Sequence, residues 1–233
     1  DWNQSAPVDT TPTLEDIKRT VSNYLAWEVS QLLKRQRQGQ GNALKVDSRI
    51  NATRINATLE GVEWGEFKLG DLFEIRSSKR KFDANKVRIL ESGGHPYVVR
   101  TSMNNGQKGF IDEDPRFLNE GNTISFGQDT ATIFYQELPY FTGNRIKVLK
   151  LKNGKLTRRT AQFFVSTMLR AFSGFSWGSS SFETSVLRSQ LLKLPVSKDK
   201  KIDFDFMERF VAEIEKERIA ELDAYLKVTG LKD

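Results

Sequence analysis

The chain has no cysteine and a single histidine among its 233 residues. The first absence removes disulfides, thiolate metal sites and a cysteine nucleophile, and suits a reducing compartment. The second removes paired-histidine metal signatures, and His95 precedes Pro96, a setting that fits a turn better than a catalyst. None of the 6 prolines precedes another. There is thus no Asn-Pro-Pro-aromatic or Asp-Pro-Pro-aromatic tetrapeptide of the kind used in amino-group methylation, and a Gly-rich cofactor loop and a phosphate loop are missing as well. The acidic stretch Asp112-Glu113-Asp114-Pro115 lacks the x-Lys partner of a metal-dependent nuclease and reads as a turn. No apolar run approaches the ~20 residues that cross a bilayer, and no charged-then-apolar signal opens the chain. The Asn-x-Thr matches at Asn51 and Asn56 fall in a short tandem repeat and carry no weight. These absences lead us to expect a soluble, cytoplasmic protein without catalysis, metal, cofactor or membrane contact of its own.

What is present is charge, unevenly placed. The net charge is +6, and the segment from Arg76 to Lys108 alone has eight Lys or Arg against Asp83 and Glu91. Arg145 to Arg159 adds seven cations and no acid. The segment from Asp203 to Val228 holds eight acids and four bases, so the rest of the chain carries +10. Such a distribution fits both a docking face for a polyanion and an ordinary solvated surface; two basic runs flanking amide-rich loops favour the polyanion.

With 38% hydrophobic residues the chain can bury one good core. Residues 1–12 are polar and aperiodic and read as disordered. Apolar residues at Leu14, Ile17, Val21, Leu25, Val29, Leu32 and Leu33 predict a helix over 13–38, capped by Thr13 with Asp16. Residues 39–62, including the repeated Arg-Ile-Asn-Ala-Thr at Arg49 and Arg54, read as a linker. The body over 63–200 is predicted to hold strands near Phe73–Ile75, Tyr97–Val99, Thr123–Phe126, Ala131–Tyr135 and Ile146–Leu151, a helix over Thr160–Phe172, and a return to the sheet before Val196. Residues 201–233 carry the last helix. Its 26 residues from Asp203 to Val228 would span roughly 39 Å and carry a long apolar stripe with Met207, Phe210, Ile214, Leu222 and Tyr225. The stripe fits packing on the body and also a partner or dimer helix; we expect the latter role for these five. The fold class expected is α/β (α+β): one globular domain with a twisted mixed β-sheet, a long C-terminal helix and an N-terminal helix.

The loops hold the chemistry that reads base edges and grips phosphates: Arg or Lys for guanine, Asn or Gln for adenine, cations and hydroxyls for the backbone. The candidate DNA-binding residues are Lys79, Arg80, Lys81, Arg100, Asn104, Asn105, Gln107, Lys108, Gln128, Asn144, Arg145, Arg158, Arg159, Trp177 and Ser179. Asn104-Asn105-Gly106 and Gly143-Asn144 fit tight turns equally well.

Three motifs give the order a wider likeness: Trp-x-x-x-x-Leu-Gly-Asp-Leu-Phe (Trp64 to Phe73), Pro-Tyr-Val followed by Thr and Asn-Asn-Gly (Pro96 to Gly106), and Leu-Pro-Val (Leu194 to Val196) before a helix started by Asp203. Over Glu63 to Leu226 the chain resembles the target recognition domain of the specificity subunit of type I and type IIB-like restriction-modification systems. The resemblance implies an α/β domain whose loops enter the major groove of double-stranded DNA. It also implies methyltransferase and nuclease partners, with S-adenosylmethionine bound by the partner methyltransferase. On this reading the helix from Asp203 is the spacer and partner-binding element. A full specificity subunit has two recognition domains, whereas this chain shows one, so it is expected to read half a bipartite site, to form a homodimer, or to be a piece of a longer polypeptide. The alternative is a basic protein-interaction module or anti-restriction decoy without sequence-specific DNA binding.

Overall fold

The computed structural model describes residues 9–37, 58–174 and 183–228. Most of the expected disordered stretch and linker, the Arg-Ile-Asn-Ala-Thr repeat, Trp177 and Ser179 lie outside them.

Helix α1 spans Leu14–Arg37. Its start is fixed as the sequence predicts: Asp16 N–H donates to Thr13 Oγ1 at 3.1 Å, and Thr13 N–H donates to Asp16 Oδ2 at 3.0 Å. This reciprocal pair satisfies donors that the first turn would leave open. Ile17, Val21 and Tyr24 are buried, whereas Val29, Leu32 and Leu33 are exposed.

Among the described residues the strands form three sheets rather than the single one expected. Strand β1 (Trp64–Lys68) pairs antiparallel with β9 (Leu191–Pro195), Trp64 opposite Pro195 and Lys68 opposite Leu191. A helical turn α2 (Leu69–Leu72) leads into β2 (Phe73–Ser77). Strand β2 opens a four-stranded antiparallel sheet ordered β2-β8-β5-β6, completed by β8 (Ile146–Leu151), β5 (Thr123–Gly127) and β6 (Thr132–Gln136). The third sheet is ordered β4-β3-β7, with β3 (His95–Val98) antiparallel to β4 (Gln107–Ile111) and parallel to β7 (Phe141–Thr142).

Helix α3 (Arg158–Ala171) packs against the four-stranded sheet, with Phe164 edge-on to Phe73 at 5.2 Å. Thr157 and Thr160 form its capping box, side chain to backbone in both directions. The short α4 (Thr184–Ser189) precedes β9, and α5 (Phe204–Val228) is the last described element. The main core joins one face of the sheet, α3 and the inner faces of α1 and α5. A second, smaller core of Phe82, Tyr97, Ile111 and Phe141 underlies the three-stranded sheet.

The first half of α5 corrects the partner-helix expectation. Met207, Phe210 and Ile214 are buried in the chain's own core, Phe210 packing edge-on to Phe163 at 6.1 Å. Helix α3 and α1 supply enough apolar surface to cover that part of the stripe. Leu222 remains 49% exposed, and the side chain of Tyr225 lies outside the described residues.

Candidate nucleic-acid interface

The basic run Lys79–Lys81 is held in place by four anchors. Lys79 N–H donates to Asn119 Oδ1 at 3.0 Å, Thr142 Oγ1 donates to Arg80 O at 3.1 Å, Phe82 N–H donates to Thr142 O at 2.9 Å, and Tyr97 Oη donates to Phe82 O at 2.7 Å. Burial raises the Tyr97 phenol above its ordinary value, so it stays a neutral donor. The three basic side chains are exposed. Lys79 and Lys81 make no ion pair among the described residues, and the Arg80 guanidinium lies 4.8 Å from the Phe117 ring and 5.1 Å from the Phe82 ring.

Strand β7 carries the chain from Thr142, beside this run, to Asn144 and Arg145. There a second set of loops meets. Gln128 N–H donates to Arg145 O at 2.9 Å, joining the β5–β6 turn to the β7–β8 turn. Asp129 Oδ2 accepts from Arg100 Nη1 at 2.8 Å and also from Arg145 Nη1. Gly127 opens the β5–β6 turn because any Cβ there would collide with the Thr132 side chain. Arg100, Gln128, Asn144 and Arg145 therefore share one rim of adjoining turns, and the Lys79–Lys81 run adjoins it through the pairing of Lys81 with Thr142.

Other residues singled out in the sequence go elsewhere. Asn104, Asn105 and Gly106 all have positive φ (52°, 54° and 74°), so the turn reading of this tripeptide is the observed one. Asn105 is buried and donates to Tyr135 O at 2.8 Å, and Gln107 is buried and donates to Gly109 O at 3.3 Å. These amides satisfy backbone carbonyls, which corrects the expectation that they reach DNA. Asn104 and Lys108 are exposed, but they line a cleft beside Gln31 and Lys34 of α1 rather than the rim.

Arg158 and Arg159 are corrected in the same way. Glu215, buried in α5, accepts from Arg158 Nη2 at 3.0 Å and Arg159 Nε at 2.7 Å; Arg158 Nη1 also meets both Glu28 oxygens at 3.0 Å. The two arginines tie α3 to α1 and α5. Burial raises the pKa of the Glu28 carboxyl, with Arg158 acting against that rise. Elsewhere Arg76 and Lys150 are both bound by Glu120, so the basic runs contain fewer open cations than their sequence suggests.

Sequence reasoning missed Asn119 and Asp129 as site residues. Asn119 holds the Lys79 backbone while its Nδ2 donates to Tyr140 O at 3.1 Å, a role invisible at a separation of 40 residues. Asp129 had a faint signal, being the one acid in the amide-rich stretch Gly127–Thr130. Among the described residues no cluster of His, Cys, Asp or Glu could hold a metal ion, and no helix is long and apolar enough to cross a membrane.

The geometry defines a helix-buttressed α/β module that presents loops along one basic rim. Residues 61–224 match the type I restriction modification DNA specificity domain, and the chain belongs to that family, as its motifs at Trp64–Phe73, Pro96–Gly106 and Leu194–Val196 imply. Over 156 residues it is 29% identical to the type II restriction enzyme BgcI specificity subunit S.BcgI of Heyndrickxia coagulans, covering 66% of this chain and 44% of that protein. Among solved structures it is similar to the S subunit of a type I restriction-modification system from M. genitalium (16% identity, TM-score 0.46, 92% of this chain and 55% of that one). It is also similar to the HsdS subunit from Thermoanaerobacter tengcongensis (14% identity, TM-score 0.47, 93% and 49%). The chain spans about half the length of these relatives.

Proposed function

We propose that this chain recognises a specific double-stranded DNA sequence and directs a partner adenine methyltransferase and nuclease to it. The observation that carries the reading is the convergence of the Arg100, Gln128 and Asn144–Arg145 loops on one rim, adjoined through Thr142 by the basic run that ends at Lys81, in a chain of the DNA specificity family. On this reading the exposed lysines grip phosphates and the loop tips read bases. Methyl transfer and cleavage belong to the partners, S-adenosylmethionine sits on the methyltransferase, and this chain does no covalent chemistry. A second copy or a second recognition unit supplies the other half of a bipartite site. The test is selection from random duplexes with the protein and its partner methyltransferase. One enriched sequence, bound with a steep loss of affinity as salt rises, is the expected outcome. Equal binding to all duplexes would instead point to the interaction module or decoy.

A further inference from the structure

We infer that Asp129 positions the Arg145 guanidinium, with Arg100 as its anchor, as a two-pronged reader of one guanine in the major groove. This deepens the DNA-recognition reading and rests on it. A single carboxylate oxygen, Asp129 Oδ2, holds Nη1 of both arginines. Arg100 is the more enclosed of the two and also approaches Gln128 O at 3.5 Å; its side chain is 32% exposed, that of Asp129 25%, and that of Arg145 60%. Arg145 is thus the member that faces outward. A guanidinium carries five N–H donors in a fixed fork, and only Nη1 of Arg145 has a protein partner among the described residues. Its Nε and Nη2 remain as a parallel pair. Guanine is the base that offers two acceptors, O6 and N7, to such a pair.

Electrostatics separate this site from the lysine run. Beside Asp129, two guanidinium charges are partly cancelled, and a carboxylate repels an approaching phosphate. The site is therefore a poor phosphate clamp, while the neutral edge of a base meets no such repulsion. Lys79 and Lys81 are exposed, have no carboxylate partner among the described residues, and suit phosphates. The carboxylate also fixes an otherwise rotamer-rich arginine before DNA arrives, lowering the entropy lost on binding. The backbone agrees: Asp129 (φ 68°), Ala131 (φ 46°) and Arg145 (φ 58°) are non-glycine residues in the left-handed region, gathered in two adjoining turns. Such conformations are disfavoured and concentrate where geometry serves function.

The experiment uses the full chain with its partner methyltransferase, in duplex selection followed by competition on the selected site. The wild type is expected to require a guanine at one position, with adenine or 7-deazaguanine there binding roughly tenfold to a hundredfold more weakly. Arg145→Ala should erase that preference and no other, and Arg145→Lys should not restore it. Asp129→Asn should weaken the same preference while raising affinity for all duplexes, because an anion has been removed from the rim. If Arg145→Ala instead weakens every duplex alike and lowers the salt slope by about one, Arg145 is a phosphate ligand. If selection is unchanged in all three variants, the cluster merely ties turns together. Either result overturns the inference and leaves DNA recognition standing. A wild type that enriches no sequence overturns both.

Discussion

Asn119 Oδ1 accepts the backbone N–H of Lys79 at 3.0 Å, so a buried amide on one loop sets the path of the basic run on another. The same side chain donates to Tyr140 O. Asn119→Ala leaves the Lys79 N–H without this acceptor, while Tyr140 O keeps the backbone N–H of residue 119 at 2.8 Å, and the loss is expected to destabilise the protein by about 1–3 kcal/mol. It should also loosen residues 79–82. Hydrogen exchange at Lys79 and Phe82 checks this: faster exchange confined to that segment is expected, and unchanged protection would remove Asn119 from the account.

The lysines on that run should act without regard to sequence. Lys79→Ala and Lys81→Ala are each expected to weaken all duplexes alike and to reduce the salt slope by roughly one. Titrations of selected and scrambled duplexes at several salt concentrations give the answer; a loss confined to the selected duplex would make them base readers.

Glu215 is a buried carboxylate gripped by two guanidiniums. Glu215→Gln leaves Arg158 and Arg159 partly enclosed without their shared anion, and should cost about 1–3 kcal/mol of stability. Denaturant unfolding measures it. Because these arginines hold helices together, DNA preference should be unaffected in the folded fraction.

Phe210→Asp and Leu222→Asp should now part company. Phe210 lies in the core, so a carboxylate there should abolish stable folding. Leu222 is exposed, so its variant should fold normally, and any loss it shows must be in association. Sedimentation and thermal melts of both variants separate the two outcomes.

Acid should release one surface tie. Hydrogen bonds from Lys150 and then Arg76 lower the Glu120 carboxyl below its ordinary 4.5. A carboxyl depressed in the folded state stabilises above its unfolded pKa, and that contribution fades as pH falls through the folded value. The effect is small because the pair is exposed and screened. Glu120→Gln should flatten the stability profile below 4.5 and leave its shape above that value unchanged; an unaltered acid limb would show that the pairing does not persist in solution.

Local signals carried most of the fold. The Thr13 cap, the hairpin on either side of Gly127, the amphipathic α3 and the long last helix are written in neighbouring residues, and the structure has them. The division into three sheets was hidden because β3 and β7 meet through two residue pairs, Tyr97 with Phe141 and Val98 with Thr142, across a long intervening stretch. The candidate site was half legible. Residue type marks Asn105, Gln107, Arg158 and Arg159 as DNA-reading chemistry, but their partners Tyr135, Gly109, Glu28 and Glu215 decide where those groups point. Tyr135, Glu28 and Glu215 are brought near only by the finished fold, whereas Gly109 lies two residues from Gln107.

The β1–β9 ribbon gives the body a common doorway. Trp64, where the chain enters, lies opposite Pro195, where it leaves. Everything between is an excursion that returns to its starting point, with the loop-bearing rim inside it and the helices α1 and α5 outside. A different excursion that began and ended on the same ribbon and kept the α3 face on which α1 and α5 pack could be grafted in its place without moving either helix. Recognition could then diversify while the attachment stayed constant, like exchangeable heads on one handle.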